Sequence, residues 1–117
     1  MHSQIKISAE TDVDRLNIKT LIPLGITINE LVTNSLKYAF DQSSINPQIK
    51  ISLNKSPENE FSLTYQDNGT GFDHSKKKSS FGMELIDTVV SQIDGVILRK
   101  CDEKWKNKVE IQFKEVV

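Results

Sequence analysis

Asp67-Asn68-Gly69-Thr70-Gly71 places an acidic side chain directly ahead of two glycines that flank one residue. A carboxylate in that position can accept a hydrogen bond from a ligand amino group, and the glycines let the backbone take unusual dihedrals and come close to a ligand. Asp-Asn-Gly is also ordinary turn chemistry, so the motif alone leaves both readings open. A second cluster, Ser79-Ser80-Phe81-Gly82-Met83, stands where an apolar helical period begins. Unpaired amides and positive dipole charge at a helix start suit phosphate oxygens, and Gly82 removes a side chain from their approach. Ser80 also suits an N-cap, a role compatible with ligand contact.

A third set is Glu30, Asn34, Lys37 and Asp41. At about 100° per residue, with Glu30 at zero, Asn34 falls at about 40°, Lys37 at about −20° and Asp41 at about 20°, which makes one polar stripe. The core face of the same helix, carrying Leu21, Leu24, Ile28, Leu31, Val32 and Ala39, adjoins it, while Asn29 points elsewhere. A solvated face with an i,i+4 hydrogen bond is the plain alternative.

The elements that must position these groups follow from hydrophobic period. Ile5 and Ile7, then Leu16 and Ile18, alternate with polar residues and predict two opening strands. Leu21 to about Phe40 has helical period, with Pro23 tolerable in a first turn. Ile49, Ile51 and Leu53, a Ser56-Pro57-Glu58-Asn59 turn, then Phe61, Leu63 and Tyr65 predict a hairpin. Asp67 to Ser80 reads as a loop, and Ile86, Val89, Val90 and Ile93 predict a second helix ending near Gly95. Val96 to Leu98, then Val109, Ile111 and Phe113, predict a closing strand pair around a polar turn with Trp105. Strands clustered in pairs favour a two-layer α/β (α+β) sandwich, its mixed sheet mainly antiparallel with helices on one face.

The chain has 117 residues, 37% of them hydrophobic and 26% charged, which suits one compact domain spanning residues 1–117. Fifteen basic against sixteen acidic residues argue against general attraction to nucleic acid or anionic membrane, so a bound anion must be met locally. Cys101 is the one cysteine, and only His2 and His74 join it, which excludes a disulfide framework and a Cys/His metal cluster. This composition suits the cytoplasm, and no apolar run approaches membrane-spanning length, although a membrane-anchored parent remains compatible.

Together the three clusters resemble the N, G1 and G2 boxes of the ATPase superfamily of DNA gyrase, the Hsp90 chaperones, histidine kinases and the MutL proteins. The eighteen positions from Pro23 to Phe40, with a Pro-Leu-Gly start and an Asn-Glu-Leu-Val-Thr-Asn core, resemble the HisKA_2/HWE-like subgroup of sensor histidine kinases. The resemblance covers nearly the whole chain and implies the Bergerat-type ATP-binding fold. It implies a histidine-kinase catalytic domain that binds ATP and Mg²⁺ and passes the γ-phosphoryl group to a histidine on a separate acceptor domain. A response regulator then follows in two-component signalling.

By that resemblance Asn34 binds Mg²⁺ through its carbonyl, Lys37 neutralises phosphate charge and Tyr38 lines the pocket. Asp67 accepts from the adenine amino group, Gly69 and Gly71 let the backbone close beside the base, and Ser80, Gly82, Met83 and Leu85 sit by the phosphates. Glu30 stands where a gyrase-type general base is found, and it either orients or deprotonates the attacking imidazole, activates water, or merely holds Asn34 or Lys37 in place. Asp73 to Ser79 corresponds to the lid over the triphosphate, where Lys76, Lys77 and Lys78 either screen phosphates or form a soluble loop. The sequence departs from the pattern at Ser80, where a glycine is common, and at Trp105-Lys106-Asn107-Lys108, where a Gly-Thr pair is frequent. These departures bear on lid geometry rather than on nucleotide binding. Neither histidine has the acceptor motif, so the acceptor and sensor domains lie elsewhere and the isolated domain is expected to be monomeric. The same fold also admits an anti-sigma-factor-type serine kinase, or a module that senses or hydrolyses ATP.

Overall fold

The computed structural model describes residues 4–70 and 80–116, with the side chains of residues 80–83 excepted. In chain order the elements are β1 (Lys6–Thr11), α1 (Ile18–Asn34), a π-helical turn (Ser35–Ala39), β2 (Gln48–Lys55), β3 (Glu60–Asp67), α2 (Ser80–Gln92), β4 (Val96–Lys100) and β5 (Asn107–Lys114). The five strands form one sheet in the order β1-β2-β3-β5-β4. β1 runs parallel to β2, as a crossover through α1 permits, and the other pairs are antiparallel.

Alternation decides which face of the sheet is covered. Ile49, Phe61, Leu63, Tyr65, Ile111 and Phe113 point inward and pack with Leu24 and Leu31 of α1, Ile86 and Val90 of α2, and Ile93 just after it. The opposite face carries Lys50, Ser52, Ser62, Thr64 and Gln66, all of them only partly buried. This is the expected two-layer sandwich, a mainly antiparallel sheet with both helices on one face.

One predicted strand is absent. Leu16 and Ile18 belong to no strand, because Asn17 caps α1 by accepting from the Lys19 amide at 2.8 Å, and the helix starts at Ile18. Two alternations are too short a pattern to compete with an Asn N-cap. The earlier start moves Pro23 out of the first turn into the helix interior. Leu21 also leaves the core and is 54% exposed, whereas the polar Thr20 and Thr27 are buried beside Leu24 and Leu31. Both threonines are satisfied: Thr27 donates to the Pro23 carbonyl at 2.9 Å, and Thr20 accepts from the Val116 amide at 2.7 Å. The Glu115 carboxylate accepts from the Asn17 amide, so the end of the described chain is tied to the positive end of α1.

The predicted turns are present with their reasons visible. In the β2–β3 hairpin Asn59 adopts φ 62°, the left-handed residue that closes a three-residue loop, and Ser56 donates to the Glu60 carbonyl at 2.8 Å. After α2 the left-handed residue is Asp94, at φ 52°, rather than Gly95. In the β4–β5 turn the Asp102 carboxylate accepts from the Lys104 and Trp105 amides at 2.9 and 2.6 Å.

Candidate functional site

Where α1 gives way to its π-helical turn, it meets the end of β3. Asp67, 2% exposed, is the last residue of β3 and the one buried carboxylate among the described residues. Burying a charge is costly unless hydrogen bonds replace water, and here they do. Asp67 Oδ2 accepts from Ser35 Oγ at 2.7 Å, and Oδ1 accepts from the Gly69 amide at 3.0 Å and from Asn107 Nδ2 at 2.8 Å. An ionised carboxylate has about four lone-pair sites, so these donors leave one for a ligand. That site can only accept.

Ser35 also lies 2.6 Å from the Tyr65 hydroxyl. Serine has one hydrogen and gives it to Asp67, so Tyr65 donates to Ser35, and the chain of bonds runs from Tyr65 through Ser35 to Asp67. Burial, with a smaller contribution from the Asp67 charge, raises the Tyr65 pKa well above its ordinary value, against the opposing Ser35 hydrogen bond. The phenol therefore keeps the proton that this direction requires.

Gly69 has a steric role. No described glycine has positive φ, so the expectation of an unusual dihedral is not met at Gly69. A Cβ there would stand 2.3 Å from the Ala39 carbonyl oxygen and 2.7 Å from the Ala39 carbonyl carbon. Only glycine admits this contact, and the next amide, Thr70 N, then donates to that same carbonyl at 2.8 Å. The loop after β3 is thereby stitched to the π-helical turn that carries Lys37 and Tyr38, both exposed.

The π-turn revises the polar stripe. Glu30 and Asn34 keep their one-turn spacing on regular helix and are both half-buried. Lys37 lies in the wider turn, so the 100° step used for it does not apply. Asp41 is not on the helix at all, because Phe40 is already extended. Its carboxylate accepts from the Ser43 hydroxyl and amide at 2.6 and 2.8 Å, and these bonds lower its pKa.

α2 packs beside α1 and starts at Ser80, so the backbones of Ser80, Gly82 and Met83 lie in its first turn, with Leu85 half-buried in the next. Gly71, His2, His74 and the stretch Asp73 to Ser79, expected as a lid, fall outside the described residues. The structure thus gathers Ser35, Tyr65, Asp67, Gly69, Thr70 and Asn107 into one bonded cluster at the foot of α1, with Asn34, Lys37 and Tyr38 adjoining through the chain.

Three of these residues lie outside the Asp67-Gly71 motif and had no role assigned from sequence. Ser35 follows Asn34 and is a polar residue at a buried position. Tyr65 is two residues before Asp67 and so shares its face of β3. Asn107 is paired with Asp67 in the β3–β5 register, a neighbour that only the sheet order reveals. The donor set also fits a hard cation. Asn34 carries the one amide oxygen expected to meet it, and Mg²⁺ commonly takes one or two protein oxygens and completes its shell with phosphates and water.

Residues 20–116 match the family described as histidine kinase-, DNA gyrase B- and HSP90-like ATPases. The chain belongs to this family. Its fold is that of the histidine kinase domain of the Erythrobacter litoralis EL346 blue-light activated histidine kinase, with TM-score 0.83 and 16% identity over 97% of this chain. The chain spans about half of that one, 53%. The mycobacterial sensor histidine kinase MprB is similar at TM-score 0.71 and 13% identity, over 96% of this chain and 84% of that one. The Acinetobacter baumannii histidine kinase AdeS is similar at TM-score 0.73 and 12% identity, over 97% of this chain and 55% of that one. No curated protein sequence matches the chain significantly. The fold is therefore the Bergerat ATPase fold, and among the described residues no helix is long and apolar enough to cross a membrane.

Proposed function

We propose that this ATPase-family domain is the catalytic domain of a cytoplasmic sensor histidine kinase, binding Mg-ATP and donating the γ-phosphoryl group to a histidine on a separate acceptor domain. The observation that carries the reading is the buried Asp67 carboxylate, held by three donors with one acceptor site left. A buried acceptor-only group selects a ligand amino group, and the 6-amino group of adenine fits it. Gly69 brings the loop backbone against Ala39 and keeps that side of the base pocket thin, and the exposed Tyr38 lies at its rim.

The phosphates then extend toward Asn34, Lys37 and the start of α2, where Ser80, Gly82, Met83 and Leu85 lie in the first turns. Phosphoryl transfer asks the protein mainly to position groups and to stabilise charge. Lys37 meets phosphate oxygens, the α2 amides donate to them, and Asn34 with its carbonyl oxygen holds Mg²⁺. When bound, that ion neutralises charge developing on the transferred group. Glu30, one turn before Asn34, orients the attacking imidazole or takes its proton. The same placement favours a second reading, water activation by Glu30 and ATP hydrolysis.

The test is transfer in trans. The chain is incubated with labelled Mg-ATP and a separate helical domain bearing the acceptor histidine. Acid-labile phosphate on that histidine is expected, falling roughly 10²-fold in Asn34→Ala and Lys37→Ala. Acid-stable phosphate on a serine, or phosphate release that Glu30→Gln abolishes without any histidine product, would replace the kinase reading with one of the alternatives.

A further inference from the structure

We infer that Asn107 is the residue that sets purine selectivity, acting through Asp67 rather than by touching the base. This rests on the reading of Asp67 as the adenine acceptor. Asn107 opens β5 directly opposite Asp67, the residue that closes β3. Its Nδ2 group has two hydrogens, and both are used: one goes to Asp67 Oδ1 at 2.8 Å, the other to the Thr70 carbonyl at 2.7 Å. One side chain therefore grips both the carboxylate and the loop that follows it.

Two consequences follow from the chemistry. Every described protein group bonded to Asp67, namely the Ser35 hydroxyl, the Gly69 amide and the Asn107 amide, is a donor, so both carboxylate oxygens are held as acceptors. Oxygens held as acceptors do not donate, so a 6-amino purine is matched and a 6-oxo purine is opposed. In addition, the bond to the Thr70 carbonyl holds the loop at a fixed distance from β5, so the remaining lone pair keeps one direction. Asn107 is a positioning residue, and its loss should change which base is preferred more than how tightly triphosphate is held.

The experiment is calorimetric titration of the chain with ATP and with inosine triphosphate, which differs from ATP by a 6-oxo group in place of the 6-amino group. Wild type is expected to prefer ATP by roughly 10- to 100-fold. In Asn107→Leu, which keeps the bulk and removes the donor, this ratio should fall to within a few-fold of unity. Asn107→Asp keeps the shape and sets two carboxylates together, which then share a proton. Asp67 gains an O–H that a 6-oxo group can accept, so inosine triphosphate should gain on ATP further still. Either variant suffices if the other fails to fold, as judged by circular dichroism. Folded variants that lose affinity equally for both nucleotides, or keep the wild-type ratio, overturn the role of Asn107 alone. A wild type that binds neither nucleotide, or binds both equally, overturns the reading of Asp67 and the inference with it.

Discussion

At Gly69 one hydrogen atom in place of a methyl group decides whether the site can form. A Cβ placed there meets the Ala39 carbonyl oxygen at 2.3 Å, and backbone cannot swing aside as a side chain can. Gly69→Ala is therefore expected to destabilise the domain by about 1–3 kcal/mol, the usual cost of overpacking. It should also weaken nucleotide binding, because the Thr70 bond to Ala39 is pushed apart. Urea denaturation read beside a nucleotide titration checks both, and an unchanged midpoint would show that the loop has room the contact distances deny. The sequence made this glycine conspicuous for dihedral freedom and for close backbone approach; the dihedral freedom is not used, and the close approach seen is to Ala39, a neighbour known only from the fold. Asp67 was legible because an acidic residue before two glycines is a local pattern. Ser35 and Asn107 bond it from the π-helical turn and from β5, 32 and 40 residues away, Tyr65 reaches it only through Ser35, and no local pattern reports such partners.

Among the elements, the strands with strict alternation were readable to within a residue or two. β2, β3 and β5 place Ile49, Phe61, Leu63, Tyr65, Ile111 and Phe113 on one face as the period requires. The start of α1 was misread because Leu16 and Ile18 alternate by chance, and the N-cap at Asn17 carries more weight. The π-helical turn was not readable at all. Its sequence, Ser35-Leu36-Lys37-Tyr38-Ala39, contains ordinary helix residues, and the widening is fixed by tertiary contacts: Ser35 to Asp67 and Ala39 to Thr70. The sheet core that supports these contacts depends on the Phe61–Phe113 pair, stacked across β3 and β5 at 5.3 Å between centroids. Phe113→Ala leaves a cavity under that ring, and a loss of about 3–5 kcal/mol in unfolding free energy is expected from chemical denaturation. A loss below about 1 kcal/mol would mean that the helices collapse onto the gap and that the pair is not a fixed part of the core.

For the molecule as a whole, the division of labour is between a closed sheet face and an open end. The helices cover one face with apolar side chains, and the hydrogen-bonded polar cluster around Asp67 lies where α1, β3 and β5 meet. On the proposed reading Asp67 takes the neutral base while Lys37 and the start of α2 meet the phosphates, so a chain of net charge −1 can take up an anionic nucleotide without a general basic surface. The measurement that tests this most directly is calorimetric titration of the chain with a non-hydrolysable ATP analogue and Mg²⁺, wild type against Asp67→Asn. The substitution keeps the shape and replaces one acceptor oxygen by an amide donor. Wild-type binding weakened at least about tenfold by Asp67→Asn is the predicted result. A folded wild type that takes up no nucleotide, or an Asp67→Asn variant that binds as well as wild type, would contradict it.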